Sequence, residues 1–135
     1  MYDNISAGLD TSVLLRLLVG EPEKQAKKAE GALDSVIRAG GKVFVSDLVL
    51  CETYYALQFH YQVPKKDTIS ALKNLSRAKE VECSSIARKV LAEPNLHSAN
   101  PGFVDRIIHA QYDATGVQML TFEKAAKKLH RTQGL

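Results

Sequence analysis

Four acidic residues could meet at one place if strands and helices alternate along the chain: Asp10, Glu52, Asp105 and Glu123. Close carboxylates repel each other, which raises their pKa values unless a cation neutralises them. Mg²⁺ and Mn²⁺ are hard cations that prefer oxygen ligands and keep several waters. This pattern therefore predicts a site that activates a water and screens a phosphate under attack.

The elements that must position these acids alternate between short apolar strands and longer helical repeats. We predict a strand that ends at Asp10, strands over residues 42–46, 81–83 and 117–121, and a basic closing helix over residues 123–131. Strands alternating with helices form a parallel sheet covered by helices, so the predicted fold class is α/β. Functional crevices in such sheets lie at the carboxyl ends of the strands. The four acids share that edge if the first strand is central and the last lies beside it.

Capping residues mark two of the predicted helix starts. Thr11 or Ser12 can cap the first helix, whose positive N-terminal end favours a carboxylate at Asp10. Asn100 followed by Pro101 is typical of a cap and a first-turn proline, so a helix is expected from that point.

The helix predicted over residues 47–62 is the most aromatic part of the chain. We expect its buried face to be Leu48, Cys51, Tyr55 and Phe59. The alternative is that these side chains form a surface for self-association or for a partner.

The totals describe one ordinary globular domain over residues 1–135. Of the 135 residues, 45% are hydrophobic and 24% are charged, and no apolar run has the length of a membrane span. Two cysteines without an export signal are expected to be reduced thiols in a cytoplasmic protein. The net charge is +3; outside the four acids, 11 acids face 18 Lys and Arg, which attracts a polyanion modestly.

Four stretches resemble, in order and spacing, the blocks of PIN-domain ribonucleases, and most closely the VapC-like toxins of type II toxin–antitoxin pairs: GLDTSVLLRLL, VSDLVLCETYYAL, NPGFVDRIIHA and VQMLTFEKAAKKL. The resemblance covers nearly the whole chain. It implies a three-layer α/β/α sandwich with a short parallel sheet. It also implies Mg²⁺- or Mn²⁺-dependent hydrolysis of RNA by a homodimer that a cognate antitoxin silences.

Carried over position by position, the family's acidic positions fall on Asp10, Glu52 and Asp105, with Glu123 where Asp is usual. The hydroxyl positions that would orient the site fall on Thr11, Thr121 and Ser46. The resemblance thus implies that Asp10 and Asp105 hold the metal most directly, and that Glu52 and Glu123 complete the site directly or through waters.

Basic residues near these blocks are candidates for contacts with the RNA backbone. They are Arg16, Arg106, His109, Lys124, Lys127, Lys128 and Arg131. For each of them, the equally weighted alternative is that it lies on a solvated helix face and does not contact RNA. Phosphate contacts give affinity without sequence choice, so they do not name the RNA.

Two departures from the family pattern bear on the activity. Glu123 has an extra methylene, and Gly102 falls where many members carry a further acid, one helical turn before Asp105. Asp113 follows Asp105 by eight residues, about 12 Å along a helix, and is expected to be a solvated acid.

Three other functions remain open at this point. One is a degenerate PIN module that binds RNA or a protein partner without efficient cleavage, which Gly102 and Glu123 favour. Another is an interaction protein built on the aromatic helix. A phosphoacceptor receiver-like domain ranks low, because the third predicted strand ends in Cys83-Ser84-Ser85 where that class carries an acid.

Overall fold

Short parallel strands followed by helices make up the first part of the chain. The structure is a computed structural model that describes residues 4–135. They divide into two compact units, one ending at Ser84 and the other beginning at Ser85. The single domain expected over residues 1–135 stays a prediction. Within residues 4–135, no helix combines the length and the hydropathy that crossing a membrane requires.

The first unit is built on a three-stranded parallel sheet in the order β1, β2, β3. Its elements are β1 (Ile5–Gly8), α1 (Thr11–Val19), α2 (Glu23–Arg38), β2 (Lys42–Phe44), α3 (Asp47–Phe59), α4 (Lys65–Arg77) and β3 (Val81–Glu82). In this sheet β1 is an end strand, so the condition of a central first strand is not met within it.

Apolar side chains from both strands and helices fill the core of the first unit. Leu14 of α1, Leu50 of α3 and Leu72 of α4 are at most 1% exposed, as is Val43 of β2. On α4, Ile69 and Leu72 recur at helical spacing and form its buried stripe. Burial of such an apolar stripe supplies most of the stability of a helix in a folded protein.

The second unit has two helices and a two-stranded parallel sheet. Its elements are α5 (Ser85–Leu91), α6 (Phe103–Ala114), β4 (Met119–Thr121) and β5 (Thr132–Gly134), with short 3₁₀ helices at Leu96–Ser98 and Lys124–Lys128. Helix α5 packs on α6. Phe103 and Ile107 are almost fully buried and anchor α6.

The predicted closing helix over residues 123–131 is wrong. The chain forms one short 3₁₀ helix, reaches a left-handed φ of 54° at Arg131 and then enters β5. Residues Thr132–Gly134 supply backbone hydrogen-bonding partners to β4. The N–H of Met119 also donates to the carbonyl of Arg131 at 3.0 Å, so pairing with β4 begins inside the predicted helix and overrides the local helix preference.

The predicted buried face of α3 is also wrong. Leu48 and Phe59 are each 71% exposed and Tyr55 is 49% exposed. The buried side chains are instead Leu50, Thr53, Tyr54 and Leu57. Both faces of α3 carry large apolar side chains, and α1 and α4 pack on this helix. We call Leu48, Tyr55 and Phe59 the exposed α3 stripe.

Helix α6 begins later than its capping pattern predicted. Its first residue is Phe103 and its N-cap is Gly102, which provides no side-chain hydrogen bond. Asn100 and Pro101 therefore precede the helix. The buried ring of Phe103 fixes where α6 meets the core of the second unit.

Two buried hydroxyl groups in α3 and α4 lack a hydrogen-bond partner among the described residues, those of Thr53 and Thr68. Both side chains are fully buried. An unpaired buried hydroxyl is destabilising, whereas a methyl of the same shape is not. We therefore expect Thr53→Val and Thr68→Val each to raise the free energy of unfolding by about 1 kcal/mol, measured by urea denaturation.

Thr115→Val is the matched control for these variants. The Thr115 hydroxyl is exposed and donates to the carbonyl of Tyr112 at 2.8 Å. Its replacement should leave stability unchanged or slightly lower it. A loss of stability in both core variants would show that their hydroxyls are satisfied in solution.

Candidate active site

Asp10 is the N-cap of α1 and lies two residues beyond β1. Its Oδ1 accepts the backbone N–H of Val13 at 3.1 Å and the hydroxyl of Ser12 at 2.7 Å. The Ser12 hydroxyl, followed by the Val13 N–H, lowers the pKa of Asp10 below its usual value. The prediction that Thr11 or Ser12 caps this helix is wrong, because the acid itself accepts the helix N–H.

Glu52 lies on the exposed side of α3 and is held from α1. The Thr11 hydroxyl donates to Glu52 Oε1 at 2.6 Å. Since Asp10 caps the helix whose first residue is Thr11, the position of one carboxylate is tied to that of the other. The first unit therefore presents two exposed carboxylates, Asp10 and Glu52, that are connected through Thr11.

Ser46 sets the start of the helix that carries Glu52. It is the N-cap of α3, and its hydroxyl oxygen accepts the backbone N–H of Val49 at 3.2 Å. A side-chain cap of this kind fixes the first turn of a helix. Ser46 thus acts on Glu52 through the position of α3, with no contact needed.

The second unit brings Asp105 and Glu123 to the same cavity. This cavity has a volume of about 240 Å³, and Thr121 and Tyr112 also line it. Asp105 lies in the first turn of α6. The Thr121 hydroxyl oxygen accepts the backbone N–H of Glu123 at 3.0 Å, which fixes the chain as it leaves β4.

The four candidate ligands match the divalent cation that the pattern predicts in the chemistry of their donor atoms. All four candidate ligands are carboxylates exposed to solvent, which suits a hard cation. Each unit supplies two of them. Within residues 4–135, no group of three or more His, Cys, Asp or Glu side chains is arranged to hold a metal ion. The chemistry of the donors fits such a cation, and each pair needs at least one further ligand.

Two of the basic candidates share a cavity in the second unit. Arg106 and His109 line a space of about 210 Å³, together with Lys89 and Glu93. The Arg106 Nε–H donates to the carbonyl of Pro101 at 2.7 Å. His109 Nε2 lies 2.6 Å from the carbonyl oxygen of His130, so this nitrogen is the donor.

The other basic candidates are distributed over both units. Arg16 on α1 donates its Nε–H to Gln25 Oε1 on α2 at 2.6 Å. Lys124, Lys127 and Lys128 lie in the second 3₁₀ helix. The aliphatic part of Lys127 covers Gly134 so closely that a side chain there would clash with it.

Asp113 is paired rather than merely solvated. Its Oδ1 lies 2.8 Å from His130 Nδ1 and 3.9 Å from Arg131 Nε. The hydrogen bond from His130 lowers the pKa of Asp113 below its usual value, with smaller contributions from the nearby charges. Arg131, a candidate for RNA contact, thus has an acid beside it.

Gln25, Lys89 and His130 were not identified from the sequence, and Ser12 was predicted as a possible cap but not as a hydrogen-bond donor to Asp10. The bond from Ser12 could have been expected, because Ser and Asp side chains at a helix start form hydrogen bonds with groups a few residues away. The contacts of the other three depend on how helices pack, which no local pattern reports.

The cap role of Asp10 predicts different stabilities for two substitutions. Asp10→Ala removes the acceptor for the Val13 N–H and should lower the free energy of unfolding by about 1 kcal/mol. Asp10→Asn keeps an acceptor oxygen and should leave stability nearly unchanged, because Asn caps helices as well as Asp. Equal losses in the two variants by denaturant unfolding would contradict the cap assignment.

The Asp113–His130 contact predicts a dependence of stability on pH. A carboxyl whose pKa is lower in the folded state stabilises the protein above its unfolded pKa of about 3.9, and this is lost as the pH falls through the folded pKa. We expect Asp113→Asn to lower Tm at neutral pH and to have no effect at the acidic end. Asp34→Asn is the control, since Asp34 forms only an exposed ion pair with Arg38 at 3.6 Å. The same loss of Tm at every pH would argue against the charge effect.

Comparison with known proteins shows the family of this chain. The family model of the PIN domain matches residues 8–131. The chain is 28% identical over 125 residues to the VapC ribonuclease of Aquifex aeolicus (strain VF5), and the alignment covers 90% of each protein. The match confirms the predicted resemblance and, with the short parallel sheets, the three-layer α/β/α class of fold. The chain is therefore a member of the PIN-domain family and is VapC-like.

Proposed function

We propose that this protein is a divalent-metal-dependent endoribonuclease and the toxin of a toxin–antitoxin pair. The observation that carries the proposal is the position of Asp10 at the start of α1, where Ser12 and Val13 donate hydrogen bonds to it. The next residue, Thr11, donates a hydrogen bond to Glu52. Ribonuclease activity is general in the family to which residues 8–131 belong. It is also the activity named for the relative from Aquifex aeolicus.

The proposed metal ligands are the four carboxylates predicted from the sequence. Asp10 and Asp105 would hold the ion most directly, and Glu52 and Glu123 would complete the site directly or through waters. PIN nucleases generally use divalent metals, and Mg²⁺ or Mn²⁺ suits these oxygen donors. When bound, the ion lowers the pKa of a water and neutralises charge on the phosphate.

The chain's own side chains supply the rest of the proposed mechanism. Ser12 and the N-terminus of α1 keep Asp10 ionised, so it is available as a ligand. Thr11 orients Glu52, which positions the attacking water. The water adds to the phosphorus as the bond to the leaving oxygen breaks, and its proton passes to a carboxylate or to solvent.

RNA would be held through its phosphates by basic side chains of both units. Arg106, His109 and Lys89 line one cavity together with Glu93, and Arg16 is fixed in place by Gln25. Such contacts explain affinity rather than sequence choice.

A protein partner is the second part of the proposal. The exposed α3 stripe places three large apolar side chains in solvent, and the Tyr55 and Phe59 rings stack at 6.2 Å. Exposed apolar surface of this kind is typical of a protein interface. We propose that it serves a cognate antitoxin or the second subunit of a homodimer, in the cytoplasm where RNA substrate is present.

The second candidate function is a degenerate PIN module that binds RNA without cutting it. Gly102 favours it, because this N-cap carries no acid one turn before Asp105. The longer side chain of Glu123 favours it as well. RNA binding without turnover in any divalent metal would support this alternative.

The decisive experiment is cleavage of a mixed RNA pool by the purified protein with Mg²⁺, Mn²⁺ or EDTA. Asp10→Asn should abolish cleavage while retaining the fold, and Asp105→Asn should do the same. Thr11→Val removes the bond to Glu52 and should lower the rate by about 10- to 100-fold. Rates are read from labelled fragments, and Tm is measured on each variant.

Glu30→Gln is the matched control, since Glu30 is an exposed acid on α2 outside every candidate site. It should cleave like the unchanged protein. Full metal-dependent activity in Asp10→Asn would refute the assignment of the site, and equal cleavage in EDTA would refute the metal dependence.

A further inference from the structure

A cavity of about 270 Å³ lies in the groove between α1 and α2. We call it the α1–α2 groove. The two helices pack on each other within the first unit, and both supply its walls. The lining residues are Ser12, Val13, Arg16, Gln25, Lys28, Ala29 and Ala32.

One end of the α1–α2 groove adjoins Asp10. Ser12 lines the cavity and also donates its hydroxyl to Asp10 Oδ1. Val13 lines it as well, and its backbone N–H is the other donor to that oxygen. A molecule that contacts Ser12 in the groove is therefore one side chain away from the Asp10 carboxylate.

The groove carries positive charge without a compensating acid in its lining. Arg16 and Lys28 are its two charged residues. The bond from Arg16 Nε to Gln25 fixes the guanidinium, whose terminal nitrogens keep four further N–H donors. A fixed guanidinium and an ammonium that line the same cavity suit a phosphate.

The remaining wall is apolar and consists of small side chains, those of Val13, Ala29 and Ala32. The volume falls slightly below the range of pockets that take drug-sized ligands. It suits one flat group next to an anion. A nucleotide combines a base with apolar faces and a phosphate, so it matches both parts of the lining.

We propose that the α1–α2 groove binds one nucleotide of the RNA, with its base against the alanine wall and a phosphate on Arg16 and Lys28. This rests on the proposed function, because it places a substrate residue beside Asp10. The groove would then hold the nucleotide next to the bond that is cut.

The test is fluorescence anisotropy of labelled oligouridylate and of an equally long strand of abasic sugar phosphates, in EDTA. Ala32→Leu fills the groove and should weaken oligouridylate binding about tenfold, within the range that one bound base contributes. It should leave binding of the abasic strand unchanged. Lys28→Ala should reduce the slope of log affinity against log salt by about 0.7, the loss of one phosphate contact on a single strand.

Lys27→Ala is the matched control for Lys28→Ala. Lys27 is an exposed lysine paired with Glu23 at 3.0 Å, and at 100° per residue it faces away from the groove. It should change the salt slope by less. Thermal unfolding of each variant confirms that the fold is retained.

Equal weakening of both strands by Ala32→Leu, or no weakening of either, would overturn the proposal. The cleavage assay is read separately. Base-dependent binding without cleavage would support the groove and refute the nuclease. Metal-dependent cleavage without base-dependent binding would refute the groove alone.

Discussion

The contact between the Asp10 carboxylate and the first turn of α1 is the interaction on which the first half of the candidate site depends. The carboxylate accepts the Val13 N–H, and the positive end of the helix favours its charge. Because this contact decides where α1 begins, it also decides where the Thr11 hydroxyl points. Glu52 is reached through that hydroxyl. One capping interaction thus links helix position, ionisation and the orientation of a second acid.

The general plan could be predicted from the sequence because it follows from order and polarity. A strand, an acid and an apolar helix in succession place Asp10 at a strand end, and the structure has that arrangement. The capping residue itself could not be predicted reliably. Asp, Thr and Ser all cap helices well, and all three stand side by side at residues 10–12. The choice depends on a one-residue difference in register that tertiary contacts fix.

The wrong predictions for the buried face of α3 and for the closing helix have a common physical origin. In both cases, packing against other parts of the chain decides the outcome. Large apolar side chains occupy both faces of α3, so periodicity gives two stripes and does not say which one is covered. The closing segment has a good local preference for a helix, but β4 needs a backbone partner and Thr132–Gly134 provide it. Whether Asp105 and Glu123 act together with Asp10 and Glu52 is likewise not decided by local pattern. It remains part of the proposal.

At Asp10, the fold and the proposed chemistry depend on different properties of the same side chain. Helix α1 needs an oxygen acceptor at this position, whereas a cation needs a negative charge. Exchange of one carboxylate oxygen for an amide nitrogen keeps the first requirement and removes the second. The same exchange would provide a reagent, a folded chain able to retain RNA long enough for crosslinking. Sequencing of the retained strands would then identify target RNAs that a cleaving protein would destroy.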